Sequence, residues 1–148
     1  MDRSAENERK KEFLRSYRKR KKHIAALVDQ LEELKAAKLG ASSCGVGDGM
    51  PHAHNQTDLS DYVVKLEELK EDIIHERYLL VNDATEVAKA IRKLKDSDEV
   101  YVLTKRYMLG WDWDKIADGI GYALRNVHYI HSRALKNLEI PDAWGQQD

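Results

Sequence analysis

The chain has 148 residues, a formal net charge of −1, 34% charged residues and only 7% aromatic residues, which allows one or two small domains. The near-zero net charge does not by itself indicate a nucleic-acid partner, and the single cysteine excludes an internal disulfide. No apolar segment is long enough for a signal peptide or a membrane span, so we expect a cytoplasmic protein without membrane contact.

Residues 9–39 have the apolar spacing of a long helix. Apolar side chains recur at alternating three- and four-residue steps, from Phe13 and Tyr17 to Ile24, Leu27, Leu31 and Leu34. This pattern predicts a coiled-coil seam along one face of the helix.

A basic segment lies within this first helix. Six of the eight residues from 15 to 22 are Lys or Arg. One interpretation is a solvated helix face, and the other is an arm that contacts nucleic-acid phosphates, since clustered cations neutralise backbone charge. The residues of this possible phosphate arm are Arg15, Arg18, Lys19, Arg20, Lys21 and Lys22.

Residues 40–57 break every periodicity and contain four of the eight glycines, which predicts a flexible connector. Cys44, His52 and His54 lie in or beside it, but they lack a fourth ligand at a suitable spacing for zinc. We therefore predict neither a metal site nor a cofactor.

A second long helix follows the connector. Leu59, Leu66, Ile73, Leu80, Val87 and Leu94 recur every seven residues, so this helix must bury an apolar stripe. The seam of the first helix can cover it in an antiparallel hairpin within one chain or in a homodimer, and we favour the homodimer. Residues 1–95 are thus predicted to form a coiled-coil hairpin.

Residues 96–140 are predicted to form a second domain, followed by a loose tail over residues 141–148. Ser97 is expected to cap a short helix that continues through Leu109 and ends at Gly110. The segment from Trp113 to Leu138 then has the spacing of two helices joined by a tight turn at Gly121.

This spacing is typical of a DNA-binding helix-turn-helix. Ile116, Ala117 and Ile120 share one face of the first helix, and Ala117 is small enough for the second helix to cross closely. The alternative is an ordinary helical hairpin without a role in DNA binding.

The segment VLTKRYMLGWDWDKIADGIGYALRNVHYIHSRALKNL resembles region 4 of the sigma-70 family, the part that recognises the −35 promoter element. Arg106, Tyr107 and Gly110 stand where that family has a similar turn, and residues 134–138 match its closing pattern. Together with the basic helix and DLSDYVVKLEEL, the chain resembles small phage and prophage regulators of Gram-positive bacteria, of the RinA and ArpU late-transcription type. The resemblance implies a DNA-binding transcriptional regulator in the bacterial cytoplasm, with RNA polymerase as a further partner.

In such a domain the second helix enters the major groove through its N-terminal residues. Arg and Asn side chains can recognise guanine and adenine, and lysines beside the groove contact phosphate. The predicted DNA-binding residues are Leu124, Arg125, Asn126, His128, Tyr129, Arg133, Lys115 and Lys136. We expect both His128 and His131 to be polar surface residues.

Two alternative functions stay open. A phage terminase small subunit also joins a helix-turn-helix to helical oligomerisation elements. A module that contacts polymerase without recognising DNA is favoured by Ala123 and Leu124, which stand where sigma-like recognition helices have polar residues. An enzyme is not expected, because no nucleophile–base pair, carboxylate pair or phosphate-binding loop occurs.

Overall fold

The structure is a computed structural model that describes residues 2–44 and 56–145, with side chains described for residues 2–37 and 59–145. Every regular element in these ranges is helical, which confirms the all-α class. The elements are α1 (Arg3–Cys44), α2 (Gln56–Arg92), α3 (Ser97–Leu103), α4 (Trp113–Ile120) and α5 (Leu124–Asn137). None of these described helices is long and apolar enough to cross a membrane.

Both ends of the connector predicted over residues 40–57 are helical. Helix α1 continues to Cys44 and α2 begins at Gln56, so helical residues occupy both ends of the predicted segment. The residues between Gly40 and Gly45 are alanine, serine and cysteine, none of which breaks a helix as glycine does. His52, His54 and the side chain of Cys44 lie outside the described part of the chain.

The chain forms two compact units. One contains residues 1–20 together with residues 80–148 and is called the head unit; the other contains residues 21–79 and is called the hairpin unit. The start of α1 and the end of α2 therefore group with α3, α4 and α5. This grouping cuts across the linear division between residues 95 and 96 that the sequence suggested.

The larger apolar cluster of the head unit joins the first helix to the last. Phe13 and Leu14 of α1 are fully buried against the end of α2, the end of α3 and the inner side of α5. The other buried members are Val87, Ala90, Ile91, Leu94, Leu103, Tyr107, Ala134, Leu135 and Leu138. Within this unit α1 and α2 run antiparallel, since Arg20 pairs with Asp83 while Arg9 and Lys93 line one cleft.

A second apolar cluster holds α4 against α5. Its buried members are Val102, Ile116, Ala117, Val127 and Ile130, and Trp111, Trp113 and Ile120 pack around them. The predicted inward positions of α5 are confirmed, because Val127, Ile130, Ala134 and Leu138 are all buried. Helix α5 thus lies between two separate clusters.

The hairpin unit has a much thinner core. Among its described side chains only Ile24 and Ile73 are fully buried apolar residues. Of the other predicted seam residues in this unit, Leu59 is exposed, and four are half-buried: Leu27, Leu31, Leu34 and Leu66. Another set of apolar side chains is exposed: Leu59, Val63, Val64, Ile74 and Tyr78.

The short helix begins and ends differently from the sequence prediction. Asp96, one residue before Ser97, is the N-cap, and its carboxylate accepts a 2.8 Å hydrogen bond from the backbone N–H of Asp98. After Leu103 the chain forms a π-helical turn over Thr104–Met108 instead of continuing as α-helix to Leu109. The wider turn directs Tyr107 into the larger cluster.

The predicted loose tail is wrong as far as Gly145. The Trp144 ring packs edge-on against Phe13 at 5.6 Å between ring centres, and the Arg9 guanidinium donates to the Trp144 carbonyl oxygen at 2.9 Å. The first helix therefore holds the last described residues, a contact that no local sequence pattern indicates. Residues 146–148 lie outside the described part.

Phe13→Ala tests this long-range packing. Removing a fully buried ring that contacts α5 and Trp144 should lower the free energy of unfolding by about 3–5 kcal/mol, measured by urea denaturation. Leu109→Ala is the control, since Leu109 is 55% exposed and its loss should change stability by less than about 0.5 kcal/mol. Equal effects of the two substitutions would contradict the role of α1 in the head unit.

Candidate nucleic-acid interface

Helices α4 and α5 are joined by a turn that local chemistry determines. The Asp112 carboxylate caps α4 by accepting a 2.8 Å hydrogen bond from the Lys115 N–H. Gly121 ends the helix with a φ of +79°, and the N–H groups of Gly121 and Tyr122 both donate to the Ala117 carbonyl oxygen. The Tyr122 hydroxyl donates to Asp98 at 3.0 Å, so the turn is also attached to α3.

Most of the predicted recognition residues lie together on the outer side of α5. Leu124, Arg125, Asn126, His128 and Tyr129 are all exposed in the first two turns of the helix. Ala123 provides no side-chain cap, and the first turn has no acidic residue. Residues 119–138 contain no Asp or Glu, so α5 itself adds no negative charge to this side.

The structure gives Arg133 a different role from the predicted one. Its guanidinium donates to the buried Glu99 carboxylate at 2.9 Å and to Asp96 at 2.7 Å. Asn137 donates to the same Glu99 oxygen at 2.9 Å. Because these bonds join α5 to α3, Arg133 holds the helix in place and is not free to reach a base edge.

His131 is buried, contrary to the expectation of a surface residue. Its Nε2 atom lies 2.7 Å from the Tyr107 hydroxyl, and its ring is 4.8 Å from that of Trp113. Burial, together with the charges of Lys11, Arg106 and His128, lowers the pKa of His131 to about 4. The neutral imidazole is therefore part of the core near neutral pH.

His128 is exposed as predicted, and its ring lies 4.7 Å from that of Trp113. The Arg106 guanidinium lies over the same Trp113 ring at 4.4 Å and donates a 3.1 Å bond to the Trp111 carbonyl oxygen. These contacts fix the orientation of His128 beside the start of α4.

The predicted phosphate contacts on α4 and α5 lie at different places. Lys115 is exposed at the start of α4, with its ammonium 4.3 Å from the centre of the Trp111 ring. Lys136 is exposed in the last turn of α5, where it lines a groove with the first turns of α1. The α1 contribution to this groove was not predicted, because nothing in the local sequence places those turns beside α5.

In the basic segment of α1, residues 15–22, several of the cationic side chains already have partners. Lys19 and Arg15 bond to Glu12 at 2.8 and 3.3 Å, and the bond from Lys19 is the main cause of a lowered Glu12 pKa. Arg20 bonds to Asp83 at 2.6 Å. The Arg18 guanidinium packs over Gly110, where a Cβ atom would overlap it. Lys21 and Lys22, both exposed, belong to the hairpin unit.

Comparisons of the chain with protein-family models, curated proteins and solved structures found no match. Within residues 2–37 and 59–145, no three His, Cys, Asp or Glu side chains come together as ligands for a metal ion.

The buried His131 predicts a specific pH dependence of stability. The unfolded chain protonates this imidazole near pH 6.5 and the folded one only near pH 4, so acid favours unfolding between these values. From pH 7 to pH 5, His131 should remove about 2 kcal/mol of unfolding free energy. His131→Gln keeps a hydrogen-bond acceptor without the titration.

Urea denaturation of both proteins at several pH values measures this contribution. The wild-type protein should lose more stability than His131→Gln, and the difference should appear below pH 6.5. Identical pH profiles would show that His131 is not buried as a neutral ring.

Proposed function

We propose that the protein is a sequence-specific DNA-binding transcriptional regulator that places α5 in the major groove. The observation that carries the proposal is the exposed strip of Arg125, Asn126, His128 and Tyr129 on a helix held by two apolar clusters. A recognition helix needs such a rigid mounting, because base contacts depend on side chains at fixed positions. The absence of acidic residues from 119 to 138 further favours contact with a polyanion.

Within this strip, Arg125 is the residue best suited to recognise a base. It is exposed in the first turn of α5, and no ion pair holds it within the described part of the chain. A guanidinium donates two parallel hydrogen bonds to the O6 and N7 atoms of guanine. Asn126 and Tyr129 stand beside it, while Lys115 provides a phosphate contact from α4.

Because the chain resembles sigma region 4, we expect its DNA site to be a −35-like promoter element or an operator. Contact with RNA polymerase would follow from the same resemblance. Selection of bound sequences from random duplex DNA with the purified full chain tests the proposal directly. An enriched motif is the expected result, and recovery of no preferred sequence would contradict it.

A second candidate function is a module that binds RNA polymerase without recognising DNA. Leu109, Tyr122 and Leu124 are 55%, 40% and 41% exposed, and this apolar character suits a protein surface. Binding to polymerase without binding to any duplex would favour this candidate.

Arg125→Ala should weaken binding to the selected site by about 5- to 150-fold more than binding to random DNA, which corresponds to ~1–3 kcal/mol. Lys115→Gln should weaken both complexes equally, since phosphate carries no sequence information. Titrations by fluorescence anisotropy measure both ratios. Arg77→Ala removes an exposed arginine of the hairpin unit and should change neither ratio.

We also propose that the protein is a homodimer formed through the hairpin unit. Within the hairpin unit, α1 and α2 bury only Ile24 and Ile73 among their described apolar side chains, so this unit has a very small core. The exposed Val63, Ile74 and Tyr78 supply further apolar area on α2. A second copy of the same hairpin would cover this area in a four-helix arrangement.

Light scattering of the wild-type protein should therefore give the mass of a dimer. Ile74→Glu combined with Tyr78→Glu should give a monomer, because both side chains are exposed in the single chain and charge would prevent their burial. Lys65→Glu is the control for added negative charge and should stay dimeric. A monomeric wild-type protein would contradict the dimer, and a ring of eight or more copies would favour a terminase small subunit.

A further inference from the structure

The first turns of α1 are attached to the C-terminal end of α5. The buried Lys10 ammonium donates to the Leu135 carbonyl oxygen at 2.8 Å, which satisfies a carbonyl in the last turn of α5. One residue earlier, the Arg9 guanidinium donates to the carbonyl oxygens of Asp142 and Trp144 at 3.1 and 2.9 Å. The first turns of α1, from Arg3 onward, therefore lie beside α5.

A groove of about 440 Å³ lies between these two helices, and it is called the α1–α5 groove. Arg3 and Asn7 line it from α1, and Tyr129, Ser132 and Lys136 line it from α5. Tyr129 belongs both to this groove and to the exposed strip of the recognition helix. The groove is thus continuous with the surface proposed to recognise bases.

The chemistry of the groove suits a phosphodiester. Arg3 and Lys136 are exposed cations without a salt bridge in the described part of the chain. Asn7, Ser132 and Tyr129 add neutral hydrogen-bond donors of the types that contact phosphate oxygens. The acidic lining residue, Glu6, lies 3.6 Å from the Lys10 ammonium, which balances its charge.

Distance along the helix agrees with this chemistry. Lys136 lies eleven residues after Arg125, which is about 16 Å along the axis of α5. The major groove is about 12 Å wide, so a helix with its first turn at the base edges has its last turn near a sugar–phosphate strand. That end of α5 is where the α1–α5 groove lies.

We propose that the α1–α5 groove binds one phosphodiester strand of duplex DNA, with Arg3 and Lys136 as its two phosphate-contacting cations. The inference rests on the proposed DNA-binding function and adds to it a contact surface from the N-terminal helix. It differs from the basic segment over residues 15–22, where Arg15, Lys19 and Arg20 pair with acidic side chains.

The test measures binding of Arg3→Gln, Lys136→Gln and the double variant to the selected duplex and to a random duplex over a range of salt concentrations. Each single substitution should lower the slope of log affinity against log salt by about 0.9. Affinity at 0.1 M salt should fall about five- to tenfold per substitution for both duplexes, with the specificity ratio unchanged. Arg77→Gln should alter neither slope nor affinity, and circular dichroism checks that all variants fold.

A proximity measurement complements the affinities. Ser4→Cys in a Cys44→Ser background allows an iron chelate to be attached next to Arg3 on an exposed side chain that does not line the groove, and radical cleavage should map to the backbone at one flank of the selected site. The matched control carries the same chelate at Lys65→Cys in the hairpin unit, and it should not cleave at that flank.

The outcomes separate this inference from the proposed function. Unchanged salt slopes in the double variant, with normal Arg125-dependent specificity, would overturn the groove and leave the DNA-binding function intact. A wild-type protein that binds no duplex would overturn both. Binding of inorganic phosphate to the wild-type protein but not to Arg3→Gln, with duplex affinity unaffected by either the phosphate or the substitution, would assign the groove to a free anion and also overturn the inference.

Discussion

The burial of one face of α5 in two successive apolar clusters is the constraint on which the rest of the head unit depends. Val127 and Ile130 pack against α4, whereas Leu135 and Leu138 pack against the start of α1 and the end of α2. A helix whose buried face contributes to both clusters cannot rotate about its axis without opening them. The side chains that remain outside therefore keep a fixed position, and they form a single strip along the helix.

Buried polar bonds reinforce this packing. The side chains that form them are not available to contact a ligand. Lys10 satisfies a carbonyl at the end of α5, and Arg133 and Asn137 share the Glu99 carboxylate. A buried Glu99 carboxylate without these partners would be costly, so the bonds stabilise the fold. Because Lys10 and Arg133 are held in these bonds, fewer cations are available to a polyanion than the sequence suggests. The available cations include Arg3, which is far from α5 in the sequence.

The two units differ in how completely they bury their apolar side chains. In the head unit, several helical segments pack against the inner face of α5 and bury large side chains such as Phe13 and Leu103 completely. The hairpin unit has two helices, and most of its seam residues, including Leu27 and Leu66, remain half-exposed. A pair of helices has only one contact line, so its apolar stripe is covered from one side. This difference is the physical basis for expecting the hairpin unit to bind a further surface.

The sequence by itself determined the helical class, the turn at Gly121 and the inward face of α5. These features depend on local chemistry: a glycine at positive φ, an aspartate cap and apolar residues at helical spacing. Only the tertiary structure decided that α1 completes the core of the head unit, that His131 is buried, that Arg133 is paired and that Arg3 lies beside Lys136. Each of these features depends on a contact between residues far apart in the chain. Such contacts arise when whole helices pack together, and the apolar periodicity of a single helix does not predict them.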